Sequence, residues 1–114
     1  MFENVIADML GVNGVKGVYI VDREGSLIEA ESVFSDEDDV YAALIADAFN
    51  KASEVLEKLS SDEAELVLID GKDNRIIASK AGDLIFGVVA EQKTNYGLLK
   101  IEMKKAVEKI SAMV

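Results

Sequence analysis

The residues most able to do chemistry in this chain are its acids, which number 22 against 12 lysines and arginines. Four of them, Asp36, Glu37, Asp38 and Asp39, follow Ser35 without a break and have the charge to bind a divalent cation. Their neighbours supply no histidine and none of the repeated Asp-x-Asp spacing of a calcium loop. Acids after a serine are typical of a helix start, where a capping hydroxyl and negative charge complement free N–H groups. We interpret the run as a helix start capped by Ser35, and we predict no metal site.

Two further segments resemble parts of ligand-binding loops. Residues 70–74 have the composition of a cation loop, but the segment is too short and lacks the distal glutamate, so it predicts a hairpin turn. Gly11, Gly14 and Gly17 lack the Gly-Lys-Ser/Thr ending of a phosphate loop and precede a strand. Neither segment predicts a cofactor.

Catalysis is disfavoured by the residue types that the chain lacks. It contains no histidine and no cysteine, which removes the commonest general base, the commonest metal ligand and the thiolate nucleophile. Its serines therefore have no histidine to activate them. The sequence predicts a protein that is not an enzyme and that uses no cofactor.

The net charge of the chain limits the kinds of molecule that it can bind. A net charge of −10 repels phosphate backbones and gains nothing from an anionic membrane surface. The first ten residues contain two acids and no long apolar core, unlike a signal peptide or a membrane span. We expect a cytoplasmic protein that binds no nucleic acid and does not insert directly into a membrane.

Hydrophobic periodicity and turn residues predict the elements of one domain, residues 1–114. The order is helix-β-β-helix-β-β-β-helix, which predicts an α/β domain with one five-stranded sheet covered by helices. The first helix precedes Gly11, the long helix spans 36–59, and the last begins at Thr94 or Asn95. The predicted strands are 17–21, 26–32, 66–69, 75–80 and 84–90.

The long helix has two surfaces to bury. One stripe is large and apolar and is predicted to cover the chain's own sheet: Tyr41, Leu44, Ile45, Ala48, Ala52, Val55 and Leu59. A second seam has heptad spacing and mostly small residues, which would let another backbone approach closely: Ala42, Ala46, Phe49, Ser53 and Leu56. The seam predicts contact with a second copy of the chain.

The strand 66–69 is apolar on both faces, and its place in the sheet stays open on periodicity alone. Strands of this kind are usually central, which would fit a monomer. At an edge the same strand would need a cover from another chain.

Taken together, these segments resemble the Roadblock / dynein light chain family. Residues 14–25 resemble the family's pattern of Gly-Val-x-Gly, an apolar strand and Asp-x-x-Gly, and residues 82–89 resemble its Gly-Asp followed by an apolar strand. The alanine-rich long helix lies between them, and the order of elements matches over nearly the whole chain. The chain is most similar to the stand-alone prokaryotic form of the domain.

The resemblance implies a profilin-like fold, with a mostly antiparallel sheet in the order 2-1-5-4-3 and helices on both faces. It places strand 66–69 at an edge, where family members pair it with the same strand of a second subunit. The long helices then lie side by side. The homodimer interface expected from the seam and the resemblance comprises Ala42, Ala46, Phe49, Ser53, Leu56, Leu66, Val67, Leu68 and Ile69.

Family members are dimeric platforms; some bind small Ras-like GTPases and control nucleotide hydrolysis or exchange, and others link cargo to dynein. The resemblance therefore implies a homodimeric regulator or adaptor of a small Ras-like GTPase. A non-enzymatic assembly scaffold is the alternative. An enzyme ranks third, because the usual catalytic residues are missing, and a small-molecule sensor is a further possibility by fold analogy alone. The GTPase would contact the outward residues of the paired long helices: Asp39, Ala43, Asp47, Asn50, Lys51, Glu54 and Lys58. Arg23 and Arg75 are interpreted as hairpin residues rather than arginine fingers.

Overall fold

Three α-helices and five strands follow one another in the predicted order. The computed structural model describes all 114 residues. The helices are α1 (Glu3–Leu10), α2 (Asp38–Ser60) and α3 (Tyr96–Met113), and a single 3₁₀ turn, Ser35–Glu37, precedes α2. The strands are β1 (Val15–Asp22), β2 (Leu27–Ser32), β3 (Leu66–Asp70), β4 (Asn74–Ala81) and β5 (Leu84–Glu91).

The strands form one sheet in the order β2-β1-β5-β4-β3. Every neighbouring pair is antiparallel. The predicted strand order and the profilin-like architecture are thus confirmed. β3 lies at an edge and pairs only with β4, which settles the position that periodicity had left open.

The helices cover the two faces of the sheet separately. α1 and α3 pack on one face, over β1 residues Val18 and Ile20. α2 packs on the other face, over Tyr19 and Val21 of the same strand. Because successive side chains of a strand point to opposite faces, β1 must be apolar throughout to supply both cores.

The two surfaces of α2 are largely the reverse of those predicted. Ala42, Ala46, Phe49 and Ser53, expected to face a second copy, are buried against the chain's own sheet, and Leu56 is half-buried beside them. The reason is that small residues let the helix lie close to the sheet. Directly below the helix, a Cβ added to Gly87 of β5 would come within 2.9 Å of Ile45 Cγ2. Of the apolar stripe predicted to cover the sheet, Ile45 is buried there as predicted, but Leu44, Val55 and Leu59 are exposed.

The start of α2 also differs from the prediction. The Ser35 side chain makes no capping hydrogen bond, and the α-helix begins three residues later, at Asp38. One carboxylate oxygen of Asp38 accepts hydrogen bonds from Tyr19 Oη at 2.9 Å and from Ser32 Oγ at 2.6 Å. One acid of the run therefore ties the helix to two strands of the sheet. The expected cap is replaced by a contact that involves residues distant in the sequence.

This contact predicts a specific loss of stability in alkali. Burial disfavours the phenolate of Tyr19 and, with the nearby Asp38 carboxylate, raises its pKa from 10.0 to about 12. The unfolded chain releases this proton near pH 10 while the folded chain retains it. The corresponding stability is therefore present below about pH 10 and is lost as the pH rises towards about 12.

Urea unfolding of the wild type and of Tyr19→Phe at stepped pH values measures this loss. At neutral pH the variant should be less stable by about 1 kcal/mol, because it lacks one hydrogen bond to Asp38. The difference should shrink above pH 10, since the variant has no phenol to ionise there. A constant difference up to pH 12 would contradict the assignment to Tyr19.

Candidate protein-interaction site

An apolar groove runs between α2 and the β3 end of the sheet. All nine side chains that line it are hydrophobic, and its volume is about 290 Å³. They come from one side of α2 and from the facing surface of three strands: Tyr41, Leu44, Ile45, Ala48, Val67, Ile69, Ile76, Ala78 and Val89. The Tyr41 hydroxyl is the one polar side-chain group among these residues, so the chemistry of the groove suits a second apolar surface better than a polar ligand.

One wall of the groove continues along α2 as an exposed apolar surface, which we call the α2 stripe: Tyr41, Leu44, Ala48, Ala52, Val55 and Leu59. Leu44 is 57% exposed, Val55 58% and Leu59 76%, and the other three are half-buried. Apolar side chains scattered singly on a surface are ordinary, but a contiguous patch marks an interaction site.

The other wall ends at the open edge of β3. Leu66, Leu68 and Ile69 are exposed and Val67 is half-buried. Because β3 pairs only with β4, its outer backbone N–H and C=O groups have no partner in the sheet. An apolar strand with a free edge is a template for pairing with another strand.

Of the nine residues predicted at the homodimer interface, the structure therefore leaves the four strand residues accessible. Four of the five helix residues of that prediction are in the core and Leu56 is half-buried, and the α2 stripe takes their place on the surface. The sequence did contain a signal that another element comes close to this strand, because a glycine inside a central strand, Gly87, marks a close approach. The side chain that occupies the space above Gly87 is Ile45 of α2, which lies beside the buried alanines.

The seven residues predicted to contact a GTPase lie on the opposite flank of α2, and we call them the α2 polar flank. Asp39, Ala43, Asp47, Lys51, Glu54 and Lys58 are all exposed. Asn50 is half-buried, and its side-chain amide donates to the Arg23 carbonyl at 2.8 Å. Asn50 therefore anchors α2 to the β1–β2 turn, while the six other residues remain accessible.

Both arginines are held by acids. Arg23 Nη2 lies 2.7 Å from Glu63 Oε1, and its guanidinium stands over the Phe49 ring, 5.5 Å from the centroid. Arg23, together with Lys80, keeps the pKa of the Glu63 carboxyl below its usual value. The guanidinium of Arg23 is thus held against Glu63 and Phe49 of its own chain.

Arg75 is held in a similar way, beside the β3–β4 turn. Its Nε donates to Asp70 Oδ1 at 2.6 Å, which lowers the pKa of Asp70. Its guanidinium also lies 5.3 Å from the Tyr96 ring centroid. The interpretation of the two arginines as structural residues near hairpins agrees with these contacts.

No group of three or more acidic side chains comes together in a way that could hold a metal ion. None of the helices combines the length and the apolar character needed to span a bilayer. The groove and the two sides of α2 are thus the features that need a functional explanation.

Comparison with protein families matches the Roadblock/LC7 domain over residues 1–90. The chain belongs to this family. An uncharacterized protein of Methanocaldococcus jannaschii is similar to this Roadblock domain, with 29% identity over 113 residues, 99% of each chain. A second uncharacterized protein of the same organism is 28% identical over the same share of both chains.

Solved structures have the same fold as this Roadblock domain. A Roadblock/LC7 domain from Streptomyces avermitilis matches with a TM-score of 0.87 at 15% identity, covering 96% of this chain and 93% of that one. MglB from Myxococcus xanthus matches with a TM-score of 0.89 at 19% identity, covering 98% and 93%. A profilin from Schizosaccharomyces pombe matches with a TM-score of 0.71 at 13% identity, covering 99% and 98%.

Proposed function

We propose that this Roadblock domain is a homodimeric regulator or adaptor of a small Ras-like GTPase, and that it is not itself an enzyme. The observation that carries the proposal is the continuous apolar surface formed by the α2 stripe, the groove and the open edge of β3. In a family whose members act as dimeric platforms for such GTPases, a second copy of the chain is the natural cover for this surface.

The spacing of the α2 stripe supports two copies packed antiparallel. Tyr41 and Leu59 each lie nine positions from Asn50, and Ala48 and Ala52 each lie two positions from it. A two-fold axis that passes near Asn50 would place the Tyr41 end of one stripe against the Leu59 end of the other. Each copy would then contribute the same surface to the interface. Alanines at the centre would let the helices approach closely.

The β3 edge supports the same axis. Antiparallel pairing of β3 with the β3 of a second copy would satisfy its free backbone groups. It would also place the two α2 helices on the same face of one continuous sheet. Helix and strand thus belong to a single proposed interface, which covers the α2 stripe and the two β3 side chains on the same face, Val67 and Ile69.

The α2 polar flank stays exposed when that interface forms, and the second copy doubles it. It carries three acids and two lysines, and Lys51 lies 3.4 Å from Glu54. Asp39 and Asp47, which make no ion pair, suit a basic patch on the GTPase. Because both arginines are already held by acids, we propose that the domain positions the switch segments of the GTPase instead of inserting an arginine finger. The cytoplasm, where such GTPases act, is the proposed location.

The test is GTP turnover and nucleotide exchange by a small Ras-like GTPase of the same genome, with and without the domain. We expect binding and a changed rate of one of the two steps. Asp47→Lys combined with Glu54→Lys should weaken binding roughly tenfold, because two of the three acids of the flank are reversed in charge. Glu108→Lys, exposed on α3 across the sheet, is the control and should leave binding unchanged.

Absence of binding, with turnover and exchange both unaffected, would contradict the GTPase proposal. A domain that forms dimers and recovers only structural or motor proteins from a native lysate would support the scaffold function instead.

A further inference from the structure

A second groove lies on the opposite face of the sheet, between α3 and β3. α3 covers β4, whose Ile77 is fully buried, but it stops short of the edge strand. Leu66 and Leu68, which share this face of β3, are 37% and 40% exposed. The groove has a volume of about 240 Å³, and Met103 and Val107 of α3 form its apolar wall.

The rim of this groove is basic, although the chain as a whole carries a net charge of −10. The residues that line it include three lysines, Lys80, Lys100 and Lys104, and one acid, Glu65. Lys80 is paired with Glu63 at 3.0 Å. Lys100 and Lys104 make no ion pair, and Lys100 only lies against the Tyr96 ring, 5.7 Å from its centroid. Two exposed ammonium groups, four residues apart on one helix, thus stand free beside an apolar floor.

We infer that this groove binds an acidic amphipathic helix from a partner protein. Apolar side chains of that helix would pack on Leu66, Leu68 and Val107. Carboxylates one turn apart along its flank would pair with Lys100 and Lys104, which are also one turn apart. The charge pattern selects an acidic segment, because a basic one would face two unpaired lysines.

A helix fits this site better than an added strand. The free backbone of β3 is used in the homodimer proposed above, so a ligand must bind through side chains on the face of the strand. This step rests on the proposed function, because it takes the β3 edge to be occupied by a second copy of the chain. In that dimer the two grooves would meet at the joined β3 strands, and the partner would find two symmetry-related sites on the face opposite the α2 helices.

The test uses a fluorescein-labelled helical peptide of about 18 residues, with leucines on one face and glutamates on both flanks, and a matched peptide with lysine in place of glutamate. Anisotropy titration should show saturable binding of the acidic peptide that weakens as salt is raised. The basic peptide should bind at least about tenfold more weakly, because two pairings become two repulsions.

Two double variants of α3 would show where the peptide binds. Lys100→Glu with Lys104→Glu should weaken binding of the acidic peptide by about tenfold or more. Lys105→Glu with Lys109→Glu, the matched change on the other side of the same helix, should alter it less than about twofold, since those lysines already pair with Glu102 and Asp8. Amide NMR shifts on adding the peptide should concentrate at β3 and the Val107 side of α3.

Equal binding of the two peptides, or equal effects of the two double variants, would overturn the inference. Peptide shifts confined to the α2 stripe would do the same, and so would lysine-dependent binding to phosphatidylserine vesicles without binding of the acidic peptide. If only the GTPase proposal fails, the lysine-dependent peptide binding persists. If only the groove proposal fails, the wild-type domain still acts on the GTPase but binds the acidic and basic peptides equally or binds neither.

Discussion

Phe49→Ala is expected to lower the free energy of unfolding by about 3–5 kcal/mol, the usual cost of removing a fully buried phenylalanine from a core. The ring is completely inaccessible and belongs to the core between α2 and the sheet. Its removal would leave a cavity and would also take away the aromatic face below the Arg23 guanidinium. Since small domains are stable by only about 5–15 kcal/mol, the variant should be marginal at 37 °C.

Denaturant unfolding at a protein concentration low enough to populate monomers would measure this loss. Leu59→Ala is the control on the same helix, because its side chain is mostly exposed and should cost little. If Phe49→Ala kept the wild-type unfolding midpoint but dissociated the dimer, Phe49 would belong to the seam between two copies, as its heptad spacing had suggested.

Leu44→Glu is expected to convert the protein to a monomer and to leave its fold intact. Leu44 is largely exposed in a single chain, so a glutamate there meets water. In the proposed dimer each glutamate would be buried in the apolar contact between stripes, without a partner of opposite charge. The dimer dissociation constant should rise by at least about 100-fold, which corresponds to about 3 kcal/mol.

Sedimentation velocity and light scattering over a dilution series would measure this change. Glu54→Lys, on the α2 polar flank, reverses a charge without entering the stripe, and it should remain dimeric. A Leu44→Glu protein that stays dimeric, or a wild type that is monomeric at high concentration, would remove the α2 stripe from the interface. Unfolding of Leu44→Glu at the wild-type midpoint of an equally dilute sample would show that its fold is retained.

The elements and their order could be predicted because each depends on local patterns. β1 is apolar on both faces, and Gly82 and Asp83 mark the turn into β5, so strands and turns follow from neighbouring residues. The strand order came from the family resemblance, and periodicity alone did not place β3 at an edge.

The orientation of α2 could not be predicted from its own sequence. Two stripes satisfied the helical period equally well, and the sheet residues that α2 packs against lie elsewhere in the chain, such as Gly87, which meets Ile45 from about 40 residues further along. The same holds for Asp38, whose partners Tyr19 and Ser32 belong to strands that the helix meets only after folding. The candidate site was therefore only partly anticipated: its strand residues and its polar flank are accessible, but its apolar helix surface was assigned to the core.

The pairing of β1 with β5 limits how early during synthesis the protein can fold. Val18 of β1 pairs with Val88 of β5, which is 70 positions later. During synthesis, β1 emerges from the ribosome long before its central partner exists, and the contacts that close both cores wait for the last third of the chain. Until then the nascent chain exposes the apolar residues of β1 and α2. Both cores can therefore close only after β5 has been synthesised, because β5 lies at the centre of the sheet.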